Sequence, residues 1–128
     1  MSSMQTEELL LNWGARIGAA AYLEYVKSSQ LENLLATLDV IESREALLLI
    51  ALFAQRQARR SRIGNLTAGI IRQAMLDLYE KNLTKRDARE VLGIAKWVHE
   101  ALQGSNVKLA REQLSKLTLH ELLEKLTR

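Results

Sequence analysis

Four arginines lie within one short stretch of this 128-residue sequence: Arg56, Arg59, Arg60 and Arg62. No acidic residue occurs between Glu45 and Asp77, so the neighbouring sequence does not neutralise them. A guanidinium group is planar and permanently charged, and it binds two oxygens of a phosphate or carboxylate at once. These residue types at this spacing are therefore typical of a site that binds a polyanion.

The basic bias continues along the sequence through four more residues: Arg72, Lys85, Arg86 and Arg89. Residues 1–52 carry a net charge of −4, residues 53–90 carry +5 and residues 91–128 carry +2. If the helices that hold these side chains share a face, they form a basic stripe along which a nucleic-acid backbone binds. Because no feature indicates contacts to base edges, binding is expected to depend on the backbone rather than on the base sequence.

A second interpretation of the same charges needs no ligand. Cations near the C-terminal end of a helix stabilise it by about 0.3–1 kcal/mol each, because they complement the helix dipole. Surface arginines also pair with carboxylates of the same protein or remain solvated. Four arginines exceed what the dipole requires, which favours the nucleic-acid interpretation over the structural one.

Trp97 is the other candidate for a binding role. At 100° per residue it lies away from the core face of its predicted helix, on the same side as Ile94. A tryptophan next to an isoleucine widens an apolar strip, which favours a contact with another protein. Base stacking is the alternative, with a contribution of about 1–3 kcal/mol per stacked base.

Catalytic and metal-binding patterns are missing from the sequence. There is no cysteine, so a disulfide and a thiolate metal site are both excluded. No glycine-rich phosphate loop or HExxH pair occurs. His99 and His120 lie on separate predicted helices without a second ligand at helical spacing, so each is expected to be solvated. The sequence predicts a protein that is not an enzyme and holds no metal or cofactor.

The elements that position these residues are all predicted to be helices. Proline, which breaks helix interiors, is absent, and apolar residues recur at helical spacing throughout. Residues 1–128 are expected to form one all-α domain, a single bundle of six to seven helices around a buried central helix. The predicted helices are Thr6–Ser28, Leu31–Ile41, Ser43–Arg62, Thr67–Lys81, Thr84–Gln103, one capped by Ser105, and Thr118–Thr127.

The helix Ser43–Arg62 is predicted to be the central one. Its segment Ala46–Ala54 contains no polar side chain, and a helix that is apolar all round is usually buried all round. In the first helix, Gly14 and Gly18 lie one turn apart. This stripe predicts a close crossing with another helix of the domain.

The sequence also bears on the location of the protein. No run of about 18 apolar residues is present, so no membrane-spanning helix is expected. No secretory signal peptide is evident. Together with the lack of cysteine, these features predict a cytoplasmic protein.

Two runs carry a resemblance to a known family: ALLLIALFAQRQARRSRIGNLTAGIIRQAM and AREVLGIAKWVHEAL. Between about Glu42 and Leu102, the chain resembles the small all-helical subunits of CRISPR-associated RNA-guided effector complexes. It is most similar to those of type III and archaeal type I systems. The shared features are a buried helix that ends in arginines, a Thr-capped helix with an exposed arginine, and a helix that bears a tryptophan.

The resemblance implies a non-catalytic protein of antiviral defence. Such a subunit stacks with copies of itself along the guide–target duplex or the displaced strand and holds the backbone with basic residues. Its partners would be guide or target RNA or single-stranded DNA, other effector subunits and copies of itself. By position, the RNA contacts would be Arg56, Arg59, Arg60, Arg62 and Arg72. The alternative is a helical protein–protein adaptor or oligomerisation module that binds no nucleic acid.

Overall fold

The fold is an all-α bundle, as predicted. The computed structural model describes residues 3–126, which contain six α-helices, two short 3-10 helices and no strand. The α-helices are α1 (Ser3–Leu23), α2 (Ser28–Thr37), α3 (Ala46–Arg59), α4 (Asn65–Glu80), α5 (Lys85–Leu102) and α6 (Leu119–Leu126). The 3-10 helices are Leu38–Val40 and Arg111–Lys116. None of the helices in this part of the chain is long and apolar enough to cross a membrane.

The helix that buries the most residues in the described chain is α1. It packs against α5 along much of its length, and also against α4, α6 and the second 3-10 helix. Its second half is buried on nearly every side, through Gly14, Ala15, Ile17, Gly18, Ala19, Ala20 and Ala21. The bundle therefore has a buried central helix, but it is the first helix and not the predicted helix Ser43–Arg62.

The predicted close crossing is formed by α1 and α5. A Cβ atom added to Gly14 would lie 2.4 Å from Ile94 Cγ2, and one added to Gly18 would lie 2.6 Å from the Ala95 carbonyl oxygen. Real Cβ atoms do not approach other heavy atoms so closely. The two glycines therefore allow the two helix backbones to approach each other.

We expect Gly18→Ala to lower the free energy of unfolding by about 1–3 kcal/mol, the usual effect of overpacking a core. The added methyl group meets a backbone oxygen of α5, which yields only if the helix moves. Gly93→Ala is the matched control, because a Cβ there meets nothing within 4 Å. The control should gain about 0.5–1 kcal/mol from better helix propensity. Urea denaturation of both variants measures the difference, and equal stabilities would contradict the close crossing.

The predicted burial of Ala46–Ala54 on all sides is wrong. Leu47, Ile50 and Ala54 are fully buried, but Leu52 is 67% exposed and Leu48 is 37% exposed. Helix α3 lies at the side of the bundle, where α2 and α4 cover its inner face. An apolar run identifies a helix, but it does not reveal how many neighbours that helix has.

Several predicted helix ends also differ. Thr6 lies inside α1, which begins at Ser3 and ends at Leu23 rather than at Ser28. Thr67 is not a cap, because α4 begins two residues earlier with Gly64 as its N-cap. The segment after Ser105 forms the 3-10 helix Arg111–Lys116 instead of an α-helix. The predicted end of the last helix, Thr127, lies outside the described residues.

The helices predicted to begin at Thr84 and Thr118 both have a side-chain cap at these residues. The Thr84 N–H donates to Asp87 Oδ2 at 2.8 Å, as expected for a capping box at the start of α5. The Glu121 N–H donates to Thr118 Oγ1 at 3.1 Å at the start of α6. Both signals are local in sequence, which is why they could be recognised there.

The C-terminal part of the chain docks on α1 through polar contacts. Arg16 Nε donates to the Leu117 carbonyl oxygen at 2.9 Å, and the Leu119 N–H donates to Asn12 Oδ1 at 3.0 Å. The Arg16 guanidinium also lies over the Trp13 ring, 5.0 Å from its centroid. These contacts hold the last elements against the central helix.

Candidate nucleic-acid interface

The antiparallel pair α3 and α4 positions the four clustered arginines. The turn between the two helices is anchored by Ile63, which is 5% exposed. The Arg62 N–H donates to the Gln57 carbonyl oxygen at 2.8 Å and so closes the end of α3. Because Ile63 points into the core, Arg60 and Arg62 are left exposed on either side of the turn.

The register of α3 and α4 places Arg72 beside the middle of α3, about one turn from Arg56. Gln55 Nε2 donates to the Ala68 carbonyl oxygen at 3.4 Å, so these two residues are level. Arg72 follows Ala68 by one helical turn, and Leu52 precedes Gln55 by about one turn in the opposite direction. Arg72 and Leu52 are therefore level with each other, and both are exposed.

The far end of this helix pair is closed by Arg44 and Tyr79. Arg44 donates to the Tyr79 carbonyl oxygen at 2.5 Å, and its guanidinium lies 4.2 Å from the centroid of the Tyr79 ring. The Tyr79 hydroxyl donates to a Glu45 carboxylate oxygen at 3.0 Å. This hydrogen bond raises the pKa of Tyr79 above its usual value. The contacts fix the register of α3 and α4 at the end opposite the arginines.

Five arginines are exposed and have no acidic partner in the part of the chain that the structure describes, and we call them the arginine cluster: Arg56, Arg59, Arg60, Arg62 and Arg72. Within residues 3–126, no carboxylate forms an ion pair with any of them. Arg56 Nη1 makes only a long contact of 3.5 Å, to Gln57 Oε1. The positive charge of this surface is therefore available to a ligand.

The other three predicted contact residues lie at the opposite end of α4, where α5 begins. Lys85 Nζ is 3.5 Å from Asp39 Oδ1 and also donates to the Ile41 carbonyl oxygen at 3.0 Å. Arg89 pairs with the same carboxylate and lowers the pKa of Asp39 through a hydrogen bond. Arg86 is 88% exposed, with Glu90 at 4.0 Å. The eight residues therefore divide into five unpaired cations and three that have carboxylates nearby.

Glu24 is a residue whose role sequence reasoning missed. Its carboxylate accepts hydrogen bonds from the N–H groups of Leu66 and Thr67 at 3.2 and 2.7 Å. Arg111 lies 3.3 Å away on its other side. A Cβ at Gly64 would lie 2.0 Å from Glu24 Oε2, so only glycine leaves room for this contact. The carboxylate caps α4 from a distant part of the chain, and no local pattern reports such a contact.

We expect Glu24→Ala to lower the free energy of unfolding by about 1–3 kcal/mol, because it leaves buried donors at the start of α4 unsatisfied. Thr67, one of these donors, is fully buried. Chemical denaturation measures the loss. Glu42→Ala removes the same charge from an exposed position and should change stability by less than about 0.5 kcal/mol. Equal effects of the two changes would show that the carboxylate of Glu24 does not stabilise α4.

Trp97 lies on the outer surface of α5 and is 75% exposed. Beside it is an apolar groove of about 520 Å³, whose walls include Leu35, Gly93 and Ile94. Ile94 contributes only one side to this groove, because its other side fills the space left by Gly14. The predicted protein-contact residues thus form one exposed apolar feature between α2 and α5.

The two histidines differ from each other. His99 is 1% exposed, so the prediction that it is solvated is wrong. Its Nδ1 atom has no hydrogen-bond partner in residues 3–126, and Gln103 Nε2 lies 3.3 Å from its Nε2. His120 is exposed and lies 3.0 Å from Glu124 Oε1. No group of three or more metal-ligating side chains occurs in the described part of the chain.

Comparisons of the chain with protein-family models, with curated proteins and with solved structures gave no match. A functional conclusion therefore depends on the surface geometry. The arginine cluster is the part of that geometry with the most distinct chemistry.

Proposed function

We propose that this chain is a non-catalytic protein that binds the backbone of RNA through the arginine cluster. The observation that supports the proposal is the exposure of five arginines that have no carboxylate partner in residues 3–126. Four of them lie at the end of α3 and in the turn that follows, and Arg72 lies beside the middle of α3, so a strand of phosphates can contact several of them at once.

The physical basis of this binding is electrostatic. Each phosphate that an arginine neutralises releases a condensed counterion, which makes the affinity strongly dependent on salt. Arginine adds geometry to charge, because its two parallel N–H groups match two phosphate oxygens. The binding expected from this surface is therefore tight at low salt and largely independent of sequence.

We further propose that the chain acts as the small subunit of a CRISPR ribonucleoprotein effector complex. The resemblance over Glu42 to Leu102 supports this assignment, together with the exposed cations of the arginine cluster. The partners would be guide or target RNA, other effector subunits and copies of the same chain. Weak contacts by single copies would add up along the RNA. The presence of CRISPR-associated genes beside its gene would support the assignment, and a neighbourhood without them would contradict it.

A gel-shift series tests the RNA-binding proposal directly. The protein is titrated into a labelled single-stranded RNA at several salt concentrations, alone and at concentrations that favour self-association. We expect a shift whose affinity falls linearly with salt on logarithmic axes. The proposal would be refuted if neither the protein alone nor its complex with other effector subunits bound RNA at low salt.

A protein–protein adaptor is the second candidate, and the groove beside Trp97 is the observation that favours it. If this groove is the main functional surface, Trp97→Ala should abolish self-association. A tryptophan that becomes buried in a protein–protein interface often contributes a large part of the binding energy. Light scattering with and without heparin measures both effects. Self-association that depends on Trp97 and ignores heparin would favour the adaptor, whereas assembly promoted by heparin would favour RNA binding.

A further inference from the structure

Tyr25, which follows the C-terminal end of α1, combines an unfavourable backbone with an exposed ring. Its φ angle is +56°, in the left-handed region that bulky residues rarely adopt. The conformation is required here, because the Val26 N–H turns back to the Ala21 carbonyl oxygen at 2.9 Å and ends the helix. Glycine is the residue that usually occupies this position, since it has no Cβ to clash.

The side chain of Tyr25 makes no contact in the described part of the chain that would offset this strain. Tyr25 is 92% exposed, so its ring is not part of the core. Within residues 3–126 its hydroxyl group has no hydrogen-bond partner. Strained residues that the fold does not need occur most often at functional sites. The ring is therefore better explained by a ligand than by stability.

Among the described residues, Tyr25 lines three cavities, and the one with the most polar walls is the best candidate for a ligand site. It has a volume of about 450 Å³ and is formed where the end of α1, the start of α2 and the α3–α4 turn meet. Pockets for small ligands usually measure about 300–1,000 Å³. Ser61 lines the same cavity and also has a positive φ angle of 57°. Two of the three non-glycine residues with positive φ in the described chain thus border one cavity.

The chemistry of the walls fits a nucleotide. Arg62, a member of the arginine cluster, and Lys27 provide two cations, and Gln30 and Asn65 provide amides that both donate and accept hydrogen bonds. Glu24 also lines the cavity. Its carboxylate, however, is occupied by the start of α4 and by Arg111. An aromatic ring beside cations is the arrangement that binds a base and its phosphate together.

We propose that this cavity holds one unpaired nucleotide of the RNA, with its base stacked on Tyr25 and its phosphate bound by Arg62 and Lys27. The inference rests on the proposed RNA-binding function and adds the class of RNA. A base inside a duplex has both faces covered by its neighbours, so only a single strand offers a face to Tyr25. The protein therefore prefers single-stranded over double-stranded RNA at equal phosphate number.

The test uses Tyr25→Gly in the full chain, which removes the ring and relieves the backbone strain together. We expect about 5- to 150-fold weaker binding of a fluorescent oligouridylate, the range that corresponds to losing one stacked base. Binding of heparin, a polyanion without bases, should stay within about twofold. The thermal midpoint should rise, because glycine adopts the left-handed conformation without strain. Tyr25→Phe, which keeps the ring, should bind the oligouridylate like the original protein.

The outcomes separate this inference from the proposal that it extends. If Tyr25→Gly binds oligouridylate as well as the original protein does, while loss of the arginines weakens binding, the nucleotide site is refuted and RNA binding stands. A lower thermal midpoint in Tyr25→Gly would show that the ring serves the fold, and it would also overturn the inference. If the original protein binds no RNA at all, the proposed function itself fails.

Discussion

Replacing Arg56, Arg59 and Arg60 together by alanine is expected to leave the fold intact and to remove most of the affinity for RNA. All three side chains are exposed, and none holds another element through an ion pair in the described chain. Alanine is also the best helix former, so α3 should persist. Circular dichroism checks the fold, and the gel-shift series checks the affinity.

The size of the effect is set by counterion release. For a single strand, the slope of log K against log salt concentration changes by about 0.7 for each phosphate contact. The loss of three contacts should therefore flatten the slope by about 2. This change separates specific phosphate contacts from a general loss of affinity, which would leave the slope as it was.

A matched control is the triple replacement of Lys81, Lys116 and Lys125 by alanine, which lowers the net charge by the same amount. Lys81 follows α4 at the end opposite the α3–α4 turn, and none of the three lysines lines the cavity beside Tyr25. If the arginine cluster is the site, the control should keep its salt slope. If the two triple variants lose the same affinity for RNA, binding depends only on the total charge of the protein, and the arginine cluster is not the binding site.

The second large effect is expected from Ala54→Asp, which should abolish the folded state. Ala54 is fully buried on the inner face of α3. An unpaired carboxylate there loses its hydration without gaining a partner, and the cost is several kcal/mol. That is a large fraction of the roughly 5–15 kcal/mol by which domains are stable. Loss of the cooperative thermal transition in circular dichroism would show it.

Leu52→Asp is the control for this second experiment, two residues away on the same helix. Leu52 is 67% exposed, so a carboxylate at that position remains hydrated. It would also lie one turn before Arg56, a spacing that stabilises helices by about 0.2–0.5 kcal/mol when the charges are opposite. The variant should therefore fold. If both variants unfold, the outer side of α3, which carries Leu52, is not exposed to solvent.

Local patterns were sufficient to predict most of the helices and some of their ends. The absence of proline and the spacing of apolar residues identified the segments that became α1 to α5, and Thr84 identified the start of α5. These signals depend on interactions within one helical turn, which a sequence displays directly. The close approach at Gly14 and Gly18 was also predictable, because two glycines one helical turn apart leave a surface without side chains that another helix can approach closely.

The rest of the site depends on contacts between distant parts of the chain. Nothing near Glu24 indicates that it caps α4, and nothing near Asp39 indicates that it binds Lys85 and Arg89. The burial of His99 likewise depends on which elements cover α5. Which arginines remain free is decided by the packing of the helices, and a single sequence does not specify that packing through any local rule.

The α1–α5 crossing has a consequence for the synthesis of the chain. The central helix is made first, but Ala95, against which Gly18 packs, is added 77 residues later. At about 5–20 residues per second, the apolar surface of α1 waits roughly 4–15 s for its partner. During that interval α4, which also packs against α1, is made, but the surface of α1 that receives α5 stays uncovered. Release of a chain truncated before α5 would leave this surface uncovered and prone to aggregate.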